Sequence, residues 1–508
     1  MKLRSMVHAA GVACVAVLFA VFALAPARGA SSAPVPVAAA GTPRPSATLP
    51  PSTQPTPYPE VTLGPANQPT SLPFPAYGTP VPGVGRGPAP AGIPQIVTLQ
   101  QAQDIAFARV PSLETARADA GIAHAEMLLD QTGYLPSLAG EASTTRTNGQ
   151  QGGFDQRTGL ISGSGTANVL ALNLKQLIWD GGKIADSIRS ASYNETASVD
   201  NYKRDLQTVA YNVAQAYYNA LLAERSTAVA VETVKLDLVQ EDLVRASIRA
   251  GTEAPTDLAT AQLPTAQARV ALVKAQATEY DAIATFANAI GLDSNTYIEP
   301  YDDTPVNATG SISSIPVPTY DKALVRAYAL RPDVDAALRS VQASQYALKA
   351  AKLGLFPTLS GSGTLQTAST NTQAGAYLNS NNFGLVLDVP VFDQGVTNAN
   401  IVQARFTLQN SNAQLETTRQ TVQLAVKQAL INLVSARAQL DEVQAEVAKA
   451  NEVLRATQAQ YRAGVTTLPL LLNAQVGITQ ALVDQVSAVY SLRQAEQTYL
   501  YQIGANTP

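Results

Sequence analysis

One phrase occurs twice in this chain, and the interval between its copies limits what the rest can be. Leu172–Lys183 reads LNLKQLIWDGGK, and Leu385–Val396 reads LVLDVPVFDQGV. Each begins with apolar–polar alternation, the period of a strand whose two faces meet different surroundings. Each ends in an aromatic–Asp turn containing Gly and runs into a long Ala- and Gln-rich stretch of helical period. Trp179 and Phe392, Asp180 and Asp393, and Gly251 and Gly464 are all separated by 213 residues. A constant offset from turn to distant glycine marks an internal duplication. Pro136 and Pro357 are separated by 221 residues, so the first copy is longer by 8, and the excess falls in a Gly-rich loop. Loops absorb length changes that packed elements do not tolerate.

The segments outside the repeats read differently. Residues 1–30 have the order of an export signal: Lys2 and Arg4, the apolar run Val12–Leu24, then small residues from Ala25 to Ala30. The single cysteine, Cys14, lies inside that run, so the mature chain is expected to lack both thiol and disulfide. Residues 31–96 form a Pro-rich leader, in which fixed φ angles and missing N–H donors oppose both helix and sheet. The first repeat is expected over 97–291, a Pro-bearing connector over 292–318 and the second repeat over 319–508.

Each repeat reads as helix, Gly-x-x-Pro, β-hairpin, long helix, tip and returning helix. In the first return strand Leu170, Leu172 and Leu174 share one face, with Asn173 and Lys175 opposite. In the second, Phe383, Leu385, Leu387, Val389 and Val391 oppose Val386 and Asp388. Strands of about ten residues suffice to cross a bilayer when tilted. The long helices, of about 68 residues, would reach roughly 100 Å at 1.5 Å per residue. Along the second one, Val426, Leu430, Leu433, Arg437, Leu440, Val443, Val447, Ala450 and Leu454 trace a heptad-like seam with one slip near Arg437. Val483, Val486 and Tyr490 are its expected counterpart on the returning helix. Four strands cannot close a barrel, and an open edge in lipid leaves backbone groups unsatisfied. Three chains would supply twelve strands. The expected fold is therefore mainly α with a membrane β-barrel. It holds two internal repeats, each a β-hairpin plus long antiparallel coiled-coil helices, and assembles as a trimeric α/β-barrel tunnel.

Composition narrows the chemistry. The net charge of −4 gives no basic footprint for nucleic acid. The two histidines are His8, in the signal, and His124, alone on a helix, so no His/Cys metal site and no cofactor is expected. Gly181-Gly182-Lys183 lacks the upstream glycine of a phosphate loop. No nucleophile–base pairing stands out, which argues against an enzyme.

From residue 97 to the C-terminus, the duplicated order resembles the TolC-like outer-membrane efflux protein family. That resemblance implies a homotrimer whose barrel sits in outer-membrane lipid above a periplasmic helical tunnel. It implies docking with a periplasmic adaptor (membrane fusion) protein and an inner-membrane pump, for efflux or type I secretion. By the same resemblance the tips Arg249, Ala250, Gly251 and Arg462, Ala463, Gly464 would contact the adaptor. A lumen constriction would lie at Asp257, Leu470 and Asn473, although Leu470 and Asn473 depart from the family's paired acids. Asp257 either rings the lumen or caps its helix. Trp179 and Phe392 would stand at the barrel rim or pack on the helices below, with Asp180, Gly181, Gly182, Asp393 and Gly395 making the strand-to-helix junctions. The rival reading is a structural coiled-coil envelope or surface protein without channel activity, which does not account for two alternating hairpins in matching positions.

Overall fold

The computed structural model describes residues 93–147, 154–155, 159–160, 165–251, 253–301, 316–370 and 377–506. The signal and leader readings, and most of both strand-connecting loops, lie outside these residues. In chain order the elements begin with β1 (Ile96–Val97), α1 (Leu99–Arg109), α2 (Pro111–Thr132), β2 (Ser137–Thr147), β3 (Phe154–Asp155) and β4 (Gly159–Leu160). Next are β5 (Gly165–Trp179), α3 (Lys183–Arg249), α4 (Pro255–Ala289) and β6 (Glu299–Pro300). The second half has α5 (Tyr320–Leu330), α6 (Pro332–Lys352), β7 (Thr358–Thr370), β8 (Tyr377–Asp388), α7 (Val396–Arg462) and α8 (Leu468–Gln502).

The duplication holds at the level of elements. Helices α3 and α7 each have 67 residues, and α4 and α8 each have 35. The breaks between α1 and α2 and between α5 and α6 fall at Val110-Pro111 and Arg331-Pro332. Both residues before proline are extended, as the proline ring requires. The returning helices stop at Gly291 and Gly504, both left-handed, where a side chain on Gly504 would come within 2.7 Å of the Leu330 carbonyl oxygen. At the start of the first repeat Thr98 and Gln101 form a reciprocal capping box that opens α1.

The four long strands form one antiparallel sheet in the order β2-β5-β7-β8, with β5 and β7 joining the repeats. At 11, 15, 13 and 12 residues, they exceed the expected ten. The β8 strand ends at Asp388, so Val389 and Val391 do not belong to it as expected. Pro390 offers no N–H for a ladder and fixes its own φ. Strands β3 and β4 form a small extra ladder in the longer first loop. The connector contributes β6, which pairs parallel with β1 and ties the middle of the chain to the start of the first repeat.

Helices follow the strands. Below the sheet α2 packs on α3, α3 on α6 and α6 on α7, the same order as the strands above them. Farther along, α3 pairs with α4 and α7 with α8, while α8 also packs on α3. The α7 seam is Val422, Val426, Ala429, Leu433, Ala436, Leu440 and Val443, alternating steps of four and three without a slip. The slip at Arg437 is an artefact of reading only bulky residues. Small Ala436 fills the position, and Arg437 sits half-buried on its flank. The returning helix differs from expectation as well. Val486 and Tyr490 belong to the cluster built on α1, α3 and α4, whereas Ala488, Val489, Leu492, Tyr499 and Ile503 pack with α7. Val483 is exposed. Helix α8 packs on α3 as well as on α7, and a single seam describes only one of those faces.

Candidate functional site

The two strand-to-helix junctions are built alike. Asp180 is buried; its Oδ1 accepts from the Gly182 N–H at 2.9 Å and its Oδ2 from the Ile184 N–H at 2.6 Å. Asp393 repeats this with Gly395 at 3.0 Å and Thr397 at 2.7 Å. The backbone between is left-handed at Gly181, Gly182, Gln394 and Gly395, which turns the chain sharply from strand to helix. Each aspartate thus satisfies helix N–H groups that have no partner in the first turn. Hydrogen bonds from Thr397 hold the Asp393 carboxyl below its usual range. Trp179 and Phe392, one residue earlier, are exposed in the single chain, as are Leu170, Leu172, Leu174, Phe383, Leu385 and Leu387.

A buried ion cluster pins the two halves together at the α5–α6 break and the end of α8. Arg331, at the α5–α6 break, donates to both carboxylate oxygens of Asp333, at 3.0 and 2.6 Å, and to the Gln502 carbonyl at 3.1 Å. Arg204 on α3 lies over the Tyr501 ring at 3.9 Å and donates to the Tyr501 carbonyl at 3.2 Å. Its Nε is 3.8 Å from Asp333 Oδ2. Burial acts to raise the Asp333 carboxyl, but the Arg331 hydrogen bonds and both guanidinium charges hold it below its usual range. Two arginines share one carboxylate in this cluster. Arg331-Pro332-Asp333 stands where the first repeat has Val110-Pro111-Ser112, a departure from the repeat that could have flagged the cluster in the sequence.

The tips carry the other polar feature. Helix α3 ends at Arg249, with Ala250 as its cap and Gly251 left-handed; α7 ends at Arg462, with Ala463 and left-handed Gly464 in the same places. All six residues are exposed. Asp257 is half-buried, and its Oδ2 accepts from the Ala254 N–H at 3.2 Å, so it caps α4. Leu470 and Asn473 lie on the exposed side of α8. Two tip residues were not foreseen. The Tyr461 hydroxyl, at the end of α7, donates to Glu253 at 2.9 Å and links the second hairpin to the first. Burial first, then that bond and the charges of Glu253 and Asp257, push the Tyr461 hydroxyl up to about 12. The repeat counterparts of Tyr461 and Glu253 are Ile248 and Thr466, so a break in repeat symmetry again marks the contact.

Known proteins place this architecture. The family model described as "Outer membrane efflux protein" matches residues 102–292 and 323–504. The outer membrane efflux protein BepC of Brucella suis is 26% identical over 78% of this chain and 85% of its own length. Protein CyaE of Bordetella pertussis is 27% identical over 76% and 80%, respectively. Among solved structures, the Campylobacter jejuni CmeC outer membrane channel shares the fold with a TM-score of 0.71 at 20% identity, over 80% of this chain and 86% of that one. A duplicated sheet-and-long-helix fold, matched in both halves, establishes that this chain belongs to the outer membrane efflux protein family, the exit ducts of efflux and secretion systems in the outer membrane.

Proposed function

We propose that three copies of this chain close into a twelve-stranded barrel over a helical tunnel, which passively conducts substrates delivered by a periplasmic adaptor and an inner-membrane pump. The observation that carries this reading is the four-stranded sheet, whose outer strands β2 and β8 each pair on one side only. In lipid such edges must be closed, and β2 and β8 run in opposite directions, so copies join antiparallel. Residues 1–30 direct export and are removed, and residues 31–96 are a Pro-rich leader ahead of the first repeat. Trp179 and Phe392 sit at the rim, where aromatic side chains favour the lipid interface.

Reconstituted in planar bilayers, the purified protein forms stable channels, and in detergent it migrates as a heat-labile trimer. A monomer without conductance would refute the reading. The exposed tips dock the adaptor. Gly464→Trp places a bulky residue at a left-handed position and abolishes export, while trimers still insert; surviving export removes tip docking from the scheme. Asp257 also contributes a threefold ring of carboxylates near the tunnel end, and such rings select cations. Asp257→Asn keeps the helix cap and weakens block of single channels by divalent cations, whereas unchanged block leaves Asp257 as a cap alone.

A further inference from the structure

Beside the buried ion cluster a cavity of about 380 Å³ opens between α3, α6 and α7. Small-molecule sites span about 300–1,000 Å³, so the space holds more than a bare inorganic ion. Its place on α7 is defined by helical spacing. Leu415, Val422 and Val426 are the buried stripe of α7 at this height. On one flank of that stripe Gln423 Nε2 donates to the Tyr328 hydroxyl of α5 at 3.0 Å. The cavity residues Gln414, Thr418 and Thr421 lie on the other flank. The cavity therefore opens on the face of α7 that α5 leaves free.

The charge at its floor is unbalanced. Arg331 lines the cavity with Asp333, and Arg204 lies 3.8 Å from the same carboxylate. Two largely buried guanidiniums thus meet one carboxylate between them. Burial, then the Arg331 charge, lower the Arg204 guanidinium from its usual value, and Asp333 and Asp205 counter this only in part. Asp205 is exposed and also feels Asp119 on α2. Other charges nearby are paired among themselves, Lys203 with Asp200 and Arg419 with Glu416. A surplus positive charge withdrawn from water favours an anion beside it.

The hydrogen-bonding groups on the walls are sorted by sequence. Arg331 engages four of its five N–H groups, two with Asp333 and two with the Gln502 carbonyl and side-chain oxygens, and one Nη2 N–H is left. The side-chain amides of Asn201 and Gln414 line the cavity and are engaged by no hydrogen bond among the described residues. The hydroxyls of Ser340, Thr417, Thr418 and Thr421 each donate one turn back along their own helix, at 2.9–3.0 Å. Their oxygens keep free lone pairs and accept from whatever fills the space.

We propose that this cavity binds anionic polyols, small organic molecules carrying one carboxylate or phosphate on a hydroxyl-bearing body. The anionic head takes the free Arg331 N–H and the Asn201 and Gln414 amides. The hydroxyls of the body donate to the Ser and Thr oxygens and to Asp333. In a closed tunnel the face that α5 leaves free is the lumen wall, because short helices packed inside the bore would block it. That placement rests on the exit-duct reading; the binding chemistry does not.

Calorimetric titration of the full-length protein in detergent reads binding directly, with gluconate as probe. Gluconate binds, while sorbitol, without the carboxylate, and acetate, without the polyol, each bind at least about tenfold more weakly. Gln414 and Asn412 are both exposed on α7, so charge can be added at either without disturbing the core. Gln414→Glu puts a like charge on the cavity wall and weakens gluconate at least about tenfold, and Gln414→Lys tightens it. Asn412→Glu, on the flank that carries α5, changes affinity by less than about twofold. No gluconate binding, or equal binding by Gln414→Glu and Gln414→Lys, overturns the site. Acetate binding as tightly as gluconate overturns the polyol class. In planar bilayers gluconate reduces the current of the parent channel, and Gln414→Glu relieves that block. Binding without block overturns the lumen placement. A protein that forms no channel overturns the exit-duct reading, while the titration still decides the site.

Discussion

The two repeats agree where the backbone sets the terms and differ where the repeats touch. Both have the same helix lengths, the same aspartate caps at the strand-to-helix turn and the same left-handed glycines at the tips. They differ at Arg331 against Val110, Asp333 against Ser112, Tyr461 against Ile248 and Glu253 against Thr466. In each pair the more polar residue lies where the chain binds its own other half. At the same positions in the other repeat, Val110 packs on the first-repeat core, Ile248 packs against Val244, Ala261 and Leu468, and Ser112 is exposed. Geometry that builds the unit was duplicated, while the side chains that make contacts between the repeats were not.

That contrast can be broken first at the ion cluster. Arg331→Ala leaves the Asp333 carboxylate in a largely buried site with its main partner gone, and stability falls by about 3–5 kcal/mol. Val110→Ala, at the matching place, removes only apolar atoms and costs about 1 kcal/mol. Thermal unfolding of the detergent-solubilised protein measures both, and equal losses would erase the distinction between the repeats. At the junctions the repeats should respond alike. Asp180→Ala and Asp393→Ala each release two backbone N–H groups; the cost is about 1–2 kcal/mol at buried Asp180, and the loss at Asp393 is smaller. A neutral result at either site means that water replaces the cap.

Smaller effects sharpen the comparison at the tips and in the coiled coil. Tyr461→Phe removes one bond between hairpins, worth about 1 kcal/mol, and raises the open probability of single channels. Because the Tyr461 hydroxyl is pushed up to about 12, the unmodified protein keeps that bond through pH 10. A gating change between pH 9 and 10 that Tyr461→Phe abolishes would contradict it. A pH-dependent test lies at Asp237, whose counterpart is Ala450. Burial pushes the Asp237 carboxyl up to about 6. The folded chain therefore holds this proton more tightly than the unfolded chain does. The contribution is complete below the ordinary carboxylate range and is lost as pH rises through about 6. Asp237→Asn flattens stability against pH between about 4 and 6, and an unchanged slope would assign the titration to other groups.

Much of this was legible in the sequence, for physical reasons that apply locally. A strand shows its two-residue period and a helix its seam of four and three. An Asp–Gly turn shows the cap and the left-handed backbone that join them. The tip glycines, the breaks at Val110-Pro111 and Arg331-Pro332 and the open sheet edges followed from those signals. Ala436 escaped because a small residue in a seam looks like background. Pro390 ended β8 early, although Val389 and Val391 kept the alternation going. At the candidate site, Asp257, Gly251 and Gly464 were named from the sequence, but Tyr461, Glu253, Arg204, Arg331 and Asp333 were not.

By itself, then, the sequence determined the repeated unit, the lengths of its helices, the turns that connect them and the need for partners along two open edges. Each follows from backbone sterics, hydrogen-bond demand and periodicity within a few tens of residues. Tertiary structure alone decided which face of α8 meets α3 and which meets α7. It also paired Tyr461 with Glu253, 208 residues away, and brought the Tyr501 carbonyl to Arg204 across 297 residues. Contacts at such separations leave no local period. They arise only when two packed surfaces bring chosen side chains within hydrogen-bonding reach, and in this chain the positions where the repeats disagree are their clearest trace.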